Sequence, residues 1–143
     1  MDNVTEIVKL AETRLKEAKV LFDNQLYDGC IYLAGYSVEL MLKAKIAQLL
    51  DVDDLFVNYE NRVTRSFKVH RLQDLAIYAG LHNDISSGNN GTFDSYWSFI
   101  ITVWSENLRY EKSGTCTQVD ASNILTAIQD PQNGILQWIR TRL

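Results

Sequence analysis

Five polar residues of one stretch, Asp28, Tyr32, Tyr36, Glu39 and Lys43, recur at spacings of four, four, three and four. On a helix that spacing puts all five on a single face. The stretch around them, "YLAGYSVELMLKAKIAQLL" (32–50), is otherwise apolar. Charged side chains are seldom fully buried unless paired, so Glu39 and Lys43 need partners or a wet face. Standing at i and i+4 in the favourable order, they supply each other with one. A second set of functional types ends a later aromatic stretch, Arg109 and Tyr110 in "WSENLRY". Tyrosine faces beside cations suit base stacking and phosphate contact. Two arrangements follow. Arg109 reaches Glu39 as a buried ion pair, which explains both residues without a ligand. Alternatively Tyr32, Tyr36, Glu39, Lys43, Arg109 and Tyr110 line one ligand groove. In both arrangements Lys43 reaches toward a solvated rim.

Other chemistry has little to stand on. The two cysteines, Cys30 and Cys116, have no metal-ligand spacing and no disulfide framework, and Cys30 reads as a buried thiol in an apolar helix. "SSGNNGT" (86–92) carries glycines but follows no strand, so it reads as a turn and not a phosphate cradle. Neither a metal nor a cofactor is implied. The segment "NRVTRSFKVHR" (61–71) gathers Arg62, Arg65, Lys68, His70 and Arg71 directly after an acidic one. It reads either as a phosphate-contacting loop or as a solvated one balancing its neighbour.

The elements that must position these groups are helical. The first is expected over about 4–23, with Asn3 and Glu6 as a capping pair and Ile7, Ala11, Leu15, Ala18 and Phe22 as its apolar stripe. The second, about 26–50, is apolar nearly all round, as the central helix of a bundle is. Residues 51–69 read as a linker. A short helix over 70–79 follows, with His70 starting or capping it at the surface, and then a turn-rich loop over 80–92. The fourth helix, about 93–109, buries Phe93, Trp97, Ile100, Trp104 and Leu108, with Thr92 or Asp94 as cap. The last begins near Val119, and Pro131 should kink or restart it with Asp130 as the new cap. The 143 residues suit one domain, 1–143, an all-α up-and-down bundle of four to five antiparallel helices.

A net charge of −4 gives the molecule as a whole no general attraction for nucleic acid. No stretch reaches the roughly 20 apolar residues of a membrane span, and "MDNVTEIVKL" has no signal-peptide pattern. A soluble, cytoplasmic protein is the expectation. Trp97, Trp104 and Trp138 fall on apolar stripes that suit core or dimer interface. With Phe93 and Tyr96 they offer more apolar surface than one side of a small bundle needs, which predicts a homodimer.

"AETRLKEAKVLFDNQLYDGCIYLAGYSVELMLKAKI" resembles the N-terminal helix pair of HEPN domains. "FKVHRLQDLAIYAGL" resembles their His-(Asp)-Leu helix start, and "WSENLRY" their Trp–Arg–Tyr segment. The resemblance runs from about residue 9 to 139. It implies a helical bundle that usually dimerises, and family roles in RNA or nucleotide binding, in partnership with nucleotidyltransferase-type proteins, or in metal-independent RNA cleavage. The family's catalytic motif is Arg, four to six residues, then His, late in the chain. Here no histidine follows Arg109, and the one match by spacing, Arg65 to His70, lies in the linker. The reading is therefore a dimeric, non-catalytic binding module for RNA or nucleotide. The alternatives are an endoribonuclease toxin using Arg65, His70 or Arg109, and a structural protein-interaction subunit.

Overall fold

In the computed structural model, residues 3–56 and 68–143 are described. Seven α-helices and one 3-10 helix occur among them, with no strand. Helix α1 (Val4–Asp23) starts as the sequence requires: the Asn3 side chain accepts the Glu6 backbone N–H at 3.0 Å. It buries Ile7, Ala11, Leu15 and Ala18, the expected stripe, while Phe22 is half-buried and edge-on to Tyr27. Helix α2 (Tyr27–Leu50) buries residues on nearly every side and packs on α1 and on four later helical segments. It ends at Asp51, whose φ of 52° is a left-handed conformation that Asp tolerates better than most residues.

Helix α3 (Leu72–Tyr78) is as short as expected, and the supposed loop after it contains a further turn of helix, α4 (His82–Ser86). Helix α5 (Thr92–Val103) departs from expectation at both ends. Gly91 holds its N-cap position, and Asp94 accepts the Asn90 N–H instead of capping the helix. The helix stops at Val103, six residues early, because Trp104 turns to extended geometry (φ −112°, ψ 135°). That turn sends the indole onto α2 at Gly35, where its Nε1–H donates to the Tyr32 carbonyl at 3.1 Å. A Cβ at Gly35 would lie 2.1 Å from the ring, so only glycine admits it. Glu106–Tyr110 then forms the 3-10 helix, and Leu108 is half-buried where full burial is expected.

Helix α6 (Gln118–Gln129) is capped by the Thr117 hydroxyl. Pro131 ends it, but the restart comes later than expected. Asp130 accepts the Gln132 and Asn133 N–H groups of an intervening turn, and α7 (Ile135–Arg140) begins after Gly134. Phe93, Trp97, Trp104 and Trp138 are all buried within this chain, and the Phe93 and Trp138 rings stack at 4.2 Å. Half-buried Tyr96 donates its hydroxyl to Asp130 at 2.8 Å. The aromatic excess assigned to a partner is thus used inside the bundle.

Candidate functional site

The five-residue polar line lies along α2 as its spacing demands, spanning ~22 Å at 1.5 Å per residue. It is organised by three different segments, one at each end and one between.

At the C-terminal end stands a buried carboxylate. Glu39 is 1 % exposed, and its Oε1 accepts both Lys43 Nζ at 2.8 Å and His70 Nδ1 at 2.8 Å. Lys43 is 8 % exposed, with its ammonium 5.5 Å from the centre of the Phe56 ring. The expectation of Lys43 at a wet rim is therefore corrected. It is inside, and a buried cation of this kind requires its carboxylate. His70 is corrected too. It precedes α3 by two residues and does not cap it from the surface; its ring crosses to α2 and ties the start of α3 to Glu39. Bonding through Nδ1 to a fixed carboxylate sets the imidazole's orientation and tautomer, and the ring keeps 42 % of its side-chain surface exposed.

Near the middle, Tyr32 and Tyr36 are parallel to within 2° with ring centres 6.3 Å apart, and the Trp104 ring centre lies 6.4 Å from that of Tyr32. Burial first, then the Glu39 carboxylate and Tyr32, raise the Tyr36 phenol above its usual pKa, so it stays a neutral hydroxyl. Arg109, from the 3-10 helix, lies against Tyr32 and Tyr110, which raise its pKa, and stacks 4.9 Å from the Tyr110 ring centre. Arg109 is exposed, and Tyr110 is 75 % exposed. The expected Glu39–Arg109 pair does not form: Tyr32 and Glu39 are ~10 Å apart along the helix, and Lys43 and His70 occupy the carboxylate.

At the N-terminal end Asp28 fastens the loop that follows the 3-10 helix. Its carboxylate accepts the Gly114 N–H at 2.6 Å and the Cys116 N–H at 2.8 Å, and these bonds hold its pKa below the ordinary carboxylate value. Asp28, Gly29, Tyr32, Leu108, Arg109, Glu111 and Ser113 enclose a groove of about 300 Å³. Asp28 was visible as the head of the polar line, but nothing in the sequence says which loop it would hold. Burial pushes the Cys30 and Cys116 thiols up to about 11, so neither is primed as a nucleophile. Among the described residues no cluster of three or more His, Cys, Asp or Glu is placed to hold a metal ion. No helix there is long and apolar enough to cross a membrane.

The line on α2 thus gathers two clusters, Glu39–Lys43–His70 and Tyr32–Arg109–Tyr110, with Tyr36 between them. Arg65 lies outside the described residues. The helix pair α1–α2 is the part of the fold that the resemblance to HEPN domains describes, and the family model falls on it. Residues 4–53 match the HEPN domain. The match covers α1, α2 and the turn after them, and so contains Asp28, Tyr32, Tyr36, Glu39 and Lys43. The HEPN match does not reach His70, Arg109 or Tyr110, which later segments bring to the same helix. No curated protein and no solved structure matches the chain.

Proposed function

We propose that this HEPN-like bundle is a non-catalytic binding module for RNA or nucleotide, acting as a homodimer. One observation carries the reading: an exposed guanidinium, Arg109, that lines a groove of about 300 Å³ with Tyr32 and stacks on the exposed ring of Tyr110. A base stacks on such a ring while the cation takes a phosphate. Asp28 and Glu111 line the same groove, so few phosphates are tolerated there, and affinity should fall only shallowly with salt.

The test is anisotropy of a short labelled single-stranded RNA, with chelator present, against the parent chain, Arg109→Ala and Tyr110→Ala. The reading expects weak binding by the parent and loss in both variants with helical content unchanged. Binding unaffected by both variants would refute it.

A second reading, metal-independent RNA cleavage, is favoured by the carboxylate-held His70. An imidazole fixed through Nδ1 suits proton transfer. Cleavage of the 2′-hydroxyl type needs a base and an acid, however, and Lys43, which shares the Glu39 oxygen with His70, is buried and tied to it. RNA cleavage abolished by His70→Ala would establish this reading over the first. With neither binding nor cleavage, the protein-interaction role takes precedence, and a nucleotidyltransferase-type protein is the partner to test.

A further inference from the structure

On another side of the bundle, α3, α4 and α5 enclose a cavity of about 330 Å³. Its walls are apolar: Trp97, Ile77, Ile85 and Ile101. Trp97 is 7 % exposed and its ring also packs on Phe93 at 6.2 Å, so the indole is held rigidly. The rim is polar, with Arg71, Gln73, Asp74, His82 and Ser86. Arg71 and Asp74 bond each other at 3.0 Å and cancel in charge. Gln73, His82 and Ser86 make no side-chain hydrogen bond among the described residues, which leaves them open to solvent or a ligand. A mostly apolar cavity with a few convergent, uncommitted polar groups has the anatomy of a small-molecule site.

The lining selects the ligand class. A rigid indole between isoleucines favours a flat ring system. An amide, an imidazole and a hydroxyl at the edge favour a ligand with both donors and acceptors on its own edge. The cancelled rim charge gives no purchase on a phosphate or carboxylate. We infer that this cavity is a second ligand site, for an uncharged planar heteroaromatic of the nucleobase or nucleoside class. It is separate from the Arg109 groove and independent of the function proposed for it.

The test is titration of the isotopically labelled chain with adenine, uracil, adenosine, uridine and the two nucleoside monophosphates, following the Trp97 indole N–H. Saturable shifts are expected for at least one base and its nucleoside, with no gain in affinity for the monophosphate. Gln73→Ala should weaken the response about tenfold, the worth of one hydrogen bond. Ile77→Trp, at a residue 53 % exposed, should block the cavity and abolish it. Arg109→Ala should leave it unchanged, which separates this site from the groove. An indole signal unmoved by every compound, or a shift that persists in Ile77→Trp, would overturn the inference. So would a markedly tighter fit for the monophosphates.

Discussion

At the scale of single residues, the decisive arrangement is one carboxylate oxygen shared by two donors. Glu39 is buried, and removing its charge leaves Lys43 buried without a counter-ion. Breaking a buried pair from one side typically costs about 3–5 kcal/mol, far more than an exposed pair is worth. Glu39→Gln should therefore be the most destabilising change at this cluster. Lys43→Gln should follow, since Lys43 is nearly as buried and its loss strips Glu39 of one of two donors. His70→Ala should cost least, about 1 kcal/mol, the net worth of one hydrogen bond from a half-exposed ring. Urea unfolding of the three variants gives the order directly. Equal effects below 1 kcal/mol for all three would mean that the cluster is solvated and the burial argument wrong.

At the scale of elements, two devices hold the site segments onto α2. The first is the insertion of Trp104 over Gly35. Because a Cβ there would sit 2.1 Å from the indole, Gly35→Ala should displace Trp104 and with it the start of the 3-10 helix carrying Arg109. Overpacking of this kind costs about 1–3 kcal/mol. The expected signature is a lowered urea midpoint together with altered tryptophan fluorescence, and an unchanged spectrum would count against the contact. The second device is Asp28, whose carboxylate takes two backbone N–H groups of the loop after the 3-10 helix. Its pKa is depressed in the folded chain, so its contribution is fully present above the unfolded value of about 3.9. That contribution is lost as pH falls through the lower folded value. Acidification in that window should speed proton exchange at Gly114 and Cys116 before the helices melt. Asp28→Asn should show fast exchange there even at neutral pH. Protection at Gly114 that is indifferent to both acid and the substitution would rule the strap out.

At the scale of the whole molecule, the burial of Phe93, Trp97, Trp104 and Trp138 removes the surface first assigned to dimerisation. The proposed homodimer must use other apolar positions. Leu49 and Leu50 at the end of α2, with Tyr78 at the end of the α3 packed beside it, are each 40 % exposed or more. Sedimentation at micromolar concentration should give twice the chain mass, and Leu49→Asp should return it to a monomer. A monomer for the parent chain would end the dimer proposal. A dimer indifferent to Leu49→Asp would move the interface elsewhere.

What the sequence determined by itself is whatever depends on neighbours close in the chain. Helix α1 with its Asn3 cap, the length of α2 and the alignment of Asp28, Tyr32, Tyr36, Glu39 and Lys43 on one face follow from spacings of three and four. The HEPN match, residues 4–53, covers these same two helices. The tertiary structure decided which distant group meets which point on that face. Glu39 took His70, 31 residues on, and Arg109 stayed with Tyr32 and Tyr110, because α5 ends where Trp104 turns into the gap at Gly35. A charged residue's type states that it needs a partner, but the partner is chosen by how helices pack, and packing responds to shape across the whole core. The same limit applies to the tryptophans. Their helical period marked them as apolar-facing, while only the fitted bundle showed that its own interior covers them.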